Sequence, residues 1–272
     1  MIPIYSISKY TKCYSLGLKN EMEYRTNFIM SLLIGIIPVF IQYYLWTAIF
    51  DNSTSSTIHG YSYSQIISYT IMSGVVSKII ATGFENEIAH DIKSGGLSTF
   101  LVKPVSYINL KVFTFLGGKS VQLIIMAFFI VVILFLMNTY FGIDNGPQTI
   151  ITFVISIILA IILNFFLFFC ISTLAFWMTD TWGVFSLAQI VVSIVSGGIL
   201  PLDMFGKNML TFFSYTPFKY TVYFPVNILS GKLDISEVVW GIIIQAIWVV
   251  VLLLISQVLW NIGSKKYTAT GG

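Results

Sequence analysis

Six stretches of this chain are apolar over a length that suits only one solvent: Asn27–Phe50, Gln65–Gly83, Ser120–Phe141, Thr149–Met178, Val184–Leu202 and Val238–Trp260. A helix needs about 20 apolar residues, rising 1.5 Å each, to cross roughly 30 Å of hydrocarbon. The fourth stretch exceeds that length, so it must tilt, kink or protrude. Charged residues are 9% of the 272 positions and hydrophobic ones 57%. A soluble domain is about one-quarter charged, and so few charges could not cover a water-facing surface. The expected fold is an all-α integral membrane protein with six transmembrane helices. No linker, low-complexity tract or internal repeat divides it. Residues 1–26 read as an interfacial helix, 27–262 as one membrane domain and 263–272 as a tail.

Lys and Arg placement predicts the orientation. Lys9, Lys12, Lys19 and Arg25 precede the first span. Lys93, Lys103, Lys111 and Lys119 lie between the second and third, and Lys265 and Lys266 close the chain. The segments Asp51–Ser64 and Gly142–Gln148 carry no Lys or Arg, and only Asp203–Glu237 breaks the pattern, with Lys207, Lys219 and Lys232. Both termini are therefore expected on the cytoplasmic side. In the first segment, Ile4, Ile7, Tyr14, Leu18 and Met22 fall on one helical face and Lys9, Lys12 and Lys19 on the other. A basic amphipathic helix of that kind suits an anionic inner leaflet. The first 26 residues are too polar, and the run after them too long, for a cleavable signal.

The spans carry almost no ionisable chemistry. No Asp or Glu lies well inside one, and His59 and His90 are in loops. Lys78 is the exception, close enough to a span end to snorkel toward headgroups. Asn164, Gln189 and Gln245 are expected to join helices by hydrogen bonds rather than to bind a substrate. Ion-coupled transporters and channels keep buried ionisable groups because those groups are costly and persist for function, so that class is disfavoured. Cys13 and Cys170 are too far apart in environment to suggest a disulfide framework.

Three patterns are decoys. Gly118-Lys119-Ser120 imitates the end of a phosphate-binding loop, but position 113 is Phe113 where that loop needs glycine. Asn52-Ser53-Thr54 is a glycosylation pattern of a kind that occurs often by chance. Glu87 and His90 have no third metal ligand. With no Ser-His-Asp, HExxH or CxxC arrangement, the chain is not expected to be an enzyme by itself or to need a cofactor of its own. Its small net charge of +3 gives no reason to invoke nucleic acid.

Two loops carry information. Phe84–Gly118 is about 35 residues long, more than a simple connection needs. Glu85, Glu87, His90, Asp91 and Lys93 crowd its start, Ser94-Gly95-Gly96 supplies a helix stop, and Leu97, Phe100, Leu101 and Val102 form an apolar return before Pro104. A short polar helix with a glycine stop can present a rigid knob to a partner. Ser196–Asp234 holds Gly197-Gly198, Pro201, Pro217 and Pro225. Its aromatics are Phe205, Phe212, Phe213, Tyr215, Phe218, Tyr220, Tyr223 and Phe224. Such a segment suits short re-entrant or interfacial helices, which must be buried in protein or line a cavity.

In this order and spacing the features resemble the membrane subunit of type 2 ABC exporters, over nearly the whole chain. The resemblance is carried by Tyr24-Arg25 and Trp46, then Asp91 to Leu97, and Leu101 to Ser106. It continues in Ala175-Phe176-Trp177, Ser196 to Asp203, Pro217-Phe218 and the ending Lys266 to Gly272. The family's loop often has Gly-Thr or Gly-Asp where this chain has Gly95-Gly96.

That resemblance implies a permease subunit in a bacterial cytoplasmic membrane, pairing with a second permease subunit, alike or different. A pair of separate ABC-type ATPase subunits would bind ATP and Mg beneath them. It places ATPase coupling on Glu85, Glu87, His90, Asp91, Lys93, Ser94, Gly95 and Gly96. It places an outer gate on Pro201, Phe205, Phe212, Phe213, Pro217 and Phe218. The implied activity is export of an amphipathic or hydrophobic compound such as a drug, peptide, lipid or glycan. The alternatives are a secondary transporter or channel, and a membrane interaction protein that transports nothing.

Overall fold

The structure is a computed structural model and describes residues 4–23, 25–102, 105–141 and 146–267. Tyr24, Lys103, Pro104, residues 142–145 and the ending 268–272 lie outside the described residues. The helices are α1 (Ile4–Glu23), α2 (Arg25–Asp51), α3 (Tyr63–Ile80), α4 (Glu85–Lys93), α5 (Leu97–Leu101), α6 (Tyr107–Phe141), α7 (Pro147–Ser172), α8 (Trp182–Val195), α9 (Lys207–Ser214), α10 (Tyr223–Leu229) and α11 (Ile235–Lys266). A two-stranded hairpin of β1 (Thr57–Ile58) and β2 (Tyr61–Ser62) precedes α3.

Local sequence explains the boundaries. Ser62 and Gln65 form a capping box at the start of α3, and Asp234 and Glu237 form another at α11. Each pairs two of the orphan N–H groups that a helix start leaves open. α8 stops at Ser196 because Gly197 turns the chain with φ +83°. A Cβ there would lie 2.8 Å from the Tyr69 hydroxyl oxygen and 2.9 Å from Tyr223 Cβ, so the backbone conformation and the space both require glycine.

Among the described residues, five segments are long and apolar enough to cross a membrane: Leu33–Asp51, Tyr63–Lys93, Tyr107–Val132, Pro147–Phe176 and Ile235–Lys266. The second is α3 continued by α4. The stretch Val184–Leu202, read above as a fifth span, gives the shorter α8, 14 residues or about 21 Å long. The Gly197 turn is the reason. α6 starts at Tyr107, well before the expected third span at Ser120, and so absorbs part of the expected loop.

α7 is the centre of the body, with α11, α3, α4 and α10 packed around it. Polar groups on its buried faces tie it to neighbours. Asn164 Nδ2 donates to Ile80 O at 2.8 Å, and Ser156 Oγ donates to Gln245 Oε1 at 3.1 Å. Gln189, by contrast, is exposed on α8. Lys78 ends on α2, where its ammonium donates to Ser31 O at 2.9 Å.

The chain between Leu202 and Lys232 leaves and re-enters the same end of the body. Asp203 and Lys232, near its two ends, form an ion pair. Between them the chain reaches Tyr220, whose carbonyl accepts from Gln245 Nε2 at 2.9 Å. Gln245 lies about 15 Å along α11 from its first residue. The excursion therefore dips beside α11 and climbs back through α10, all seven residues of which are buried.

α1 packs side by side with α6 instead of lying alone. Tyr10 stacks on Phe113 at 4.9 Å, and Tyr14 Oη and Ser120 Oγ are 2.6 Å apart. A Cβ on Gly17 would lie 1.9 Å from Thr114 O, and one on Gly117 would lie 2.1 Å from Tyr14 O. The packed side shares Tyr14 with the apolar face read from the sequence and runs on through Tyr10 and Gly17, which that reading did not include. Gly17→Val or Gly117→Val must push two backbones apart, at a cost of about 1–3 kcal/mol or more. Either should lower the thermal unfolding midpoint of the purified protein. Gly183→Ala, with nothing within 4 Å of the new Cβ, should not; equal effects from the three would refute the close crossing.

Candidate functional site

The end of the body that gathers α4, the turn after α7 and the C-terminal part of α11 carries most of the residues marked by the sequence. α4 has one apolar face. Ile88, Ala89 and Ile92 are buried against the body, while Asn86 and His90 are exposed. Glu85 belongs to the inner face. It is 1% exposed, takes a hydrogen bond from Thr82 Oγ1, and leaves Oε2 without a partner. It cannot be part of an outward docking edge.

Two other marked carboxylates are bound from within the chain. Lys111, at 6% side-chain exposure, forms ion pairs with Glu87 and, at 3.1 Å, with Asp91. Tyr107 Oη donates to Asp91 Oδ2 at 2.6 Å. Tyr107 in turn stacks on Trp260 of α11, centroids 4.5 Å apart and planes 7° from parallel. Lys93 closes the far end of the helix by donating to Thr179 O at 2.6 Å and Thr181 Oγ1 at 2.9 Å. Ser94 caps α4 and donates to His90 O at 2.7 Å, and Gly95 follows with φ +79°. Gly96 has φ −57° and precedes α5 as its N-cap, so of these two glycines only Gly95 needs positive φ. α4 is thus a short helix fastened at both ends, with Asn86, Glu87 and His90 left on its open edge.

Sequence reasoning missed Lys111 and Tyr107. Glu87 with Asp91 and Tyr107 with Lys111 are both spaced four apart, so each pair shares a helical face. That match is visible only once Tyr107–Gly118 is taken as helix rather than loop.

At the opposite end the six residues assigned to a gate differ in burial. Pro201 is buried, Phe205 and Phe212 are exposed, and Phe213, Pro217 and Phe218 are half-buried. α9 has no buried residue. What holds this end is a group the sequence did not mark. Tyr61 Oη donates to Asp203 Oδ1 and Oδ2 at 2.9 and 2.8 Å, and Lys232 donates to Tyr61 Oη at 2.6 Å. Burial, and then the adjacent Asp203 carboxylate, push the Tyr61 hydroxyl above the ordinary phenol range, so it remains a donor. A cavity of about 380 Å³ lies beside it, lined by Ser64, Ser68, Tyr69 and Asn227 among others.

Removing a buried cation strands its carboxylates, at a cost approaching about 3 kcal/mol. Lys111→Met should therefore speed amide hydrogen exchange across residues 85–93. Glu87→Gln should change it little, because the Glu87 side chain is 66% exposed. Exchange unaltered in Lys111→Met would show that the clamp does not hold α4.

A family model described as ABC-2 family transporter protein matches residues 2–271. No curated protein and no solved structure matches the chain significantly. The match spans nearly all of a chain that offers five helical segments able to cross a membrane. The chain therefore belongs to the ABC-2 family of transporters, as a multi-pass membrane permease component of an ABC transporter.

Proposed function

We propose that this permease exports an amphipathic or hydrophobic compound from a bacterial cytoplasm, driven by ATP and Mg held in a separate pair of ATPase subunits. Two permease subunits form the pathway. α4 is the docking helix for the ATPase, and its end of the body, with both chain termini, faces the cytoplasm. α8 together with the chain after Gly197 completes a sixth crossing, and the Leu202–Lys232 excursion is the re-entrant segment that closes the outer exit.

The observation that carries this reading is the clamp on α4. A helix that is to receive force from a partner has to be rigid with respect to the spans it moves, yet keep an edge free. Lys111, Tyr107 and Lys93 supply the rigidity, and Asn86 and His90 supply the edge. The body contributes no chain of carboxylates or histidines among the described residues that could run on an ion gradient.

The test uses a cysteine-free background, with Cys13→Ser and Cys170→Ala. Asn86→Cys or His90→Cys should cross-link to the ATPase that co-purifies from native membranes. Ser55→Cys should not cross-link, and should instead react with a membrane-impermeant thiol reagent in intact cells. External labelling at His90→Cys, or cross-linking at Ser55→Cys, would reverse the assignment.

A further inference from the structure

Three lysines interrupt the inside-positive pattern, and the structure treats them differently. Lys207 is exposed at the start of α9, and Lys232 is paired with Asp203. Lys219 has neither arrangement. It sits in the 3-10 turn Phe218–Tyr220 midway along the excursion, next to the Tyr220 carbonyl that Gln245 holds. Its ammonium donates to Ser214 Oγ at 2.7 Å and lies 6.0 Å from the Tyr223 ring centroid. No described carboxylate is within ion-pair distance of it, and Glu237 acts on it only at longer range.

Beside Lys219 a groove of about 560 Å³ runs between α9 and α11, a size usual for small-molecule sites. Leu210 and Tyr215 line one wall, and Ile244, Ile247 and Trp248 the other. The groove is thus mostly apolar, with Thr211 and Ser214 on its α9 wall and one cation at one side. A lysine held at this depth is costly unless it has a charge to meet, and the chain supplies none close by. An apolar ligand would leave that cation stranded, and a cationic one would be repelled.

Resting on the permease reading above, we propose that this groove receives the transported compound, and that the compound is an amphiphile with one acidic head, a carboxylate or phosphate, and an apolar tail. The head pairs with Lys219 and the tail lies along Ile244, Ile247 and Trp248. The depth of the site selects a molecule in transit over a resident bilayer lipid. The Tyr220 level is about 15 Å along α11 from its start, within the length of that 32-residue helix and away from its end.

The experiment uses the full chain with its co-purifying ATPase in phosphatidylcholine nanodiscs. The probes are dibromostearate, an acid, and its methyl ester, which has the same tail and no charge. Both quench tryptophan, and the difference between wild type and Trp248→Phe isolates the groove. The acid should quench Trp248 saturably at a concentration about tenfold lower than the ester, the scale of one charged hydrogen bond. Lys219→Gln should erase that preference and Lys219→Arg should keep it. Thermal midpoint and ATPase co-purification check that each variant is folded. If Lys219→Gln does not fold, the acid-to-ester ratio in wild type and Lys219→Arg still decides the matter.

Equal potency of acid and ester in wild type would overturn the proposal. So would a preference that survives in folded Lys219→Gln, or no Trp248 quenching at all, as when a second permease copy covers the groove. Loss of the acid's advantage when the nanodisc lipid is phosphatidylglycerol would also overturn it, by making the groove a bilayer-lipid site. None of these outcomes bears on ATPase cross-linking at α4, so a wrong substrate class and a wrong permease reading remain separable.

Discussion

An interrupted helix inside an apolar body leaves backbone carbonyls that water cannot reach, and Gln245 answers that problem here. Its one carboxamide donates to Tyr220 O and to Ser156 O, each at 2.9 Å, and accepts from Ser156 Oγ. Three pieces of chain meet at this side chain: α11, α7 and the turn at the bottom of the excursion. An unsatisfied peptide group in hydrocarbon costs several kcal/mol. The excursion can lie at that depth because this partner is present. Tyr69 does the same work for the other break, giving its hydroxyl to Gly197 O at 2.7 Å.

The charged residues, so few in this chain, serve mostly as fasteners at the two ends. Lys111 and Lys93 fix α4, and Lys232 fixes the two ends of the excursion to each other and to Tyr61. From the α4 clamp a continuous set of contacts leads inward. Asp91 meets Tyr107, Tyr107 stacks on Trp260, and Trp260 lies on the helix that carries Gln245. Phe169 and Phe176 pack against the same indole at centroid distances of 5.7 and 5.3 Å. α4 and the buried turn are thereby joined through α11 and its ring contacts, and also through α7, on which both α4 and α10 pack.

Much of this was legible in the sequence because hydrocarbon imposes length and hydropathy directly. Membrane class, a helix end before Gly95 and the structural use of Asn164 and Gln245 follow from local pattern, whereas a helix beginning near Glu85 and family membership came from the resemblance. The length of α8 was not legible. Val184–Leu202 is apolar enough to read as one span despite Gly197-Gly198, and the packing of Tyr69 and Tyr223 against Gly197 places the turn within it. The extent of α6 was hidden because Tyr107–Lys119 is polar enough to read as loop until α1 is laid against it. The pairing of Asp203 with Lys232 and Tyr61 joins residues far apart in sequence, and no spacing rule reaches that far. The marked carboxylates showed a further limit. A cluster of charges near a glycine stop looks the same whether it faces a partner or, like Asp91, its own chain.

The central physical claim is that Gln245 holds an interrupted segment at depth, and amide hydrogen exchange over residues 218–229 tests it most directly. In the wild-type protein these amides should exchange as slowly as those of α7. Gln245→Leu removes the shared partner of Tyr220 O and Ser156 O, so exchange across 218–229 should rise by about tenfold or more, the scale of one lost hydrogen bond. Protection in α3, which makes no bond to Gln245, should stay unchanged. Exchange over 218–229 equal in wild type and Gln245→Leu would contradict the claim, and so would a wild-type segment that exchanges as fast as an exposed loop.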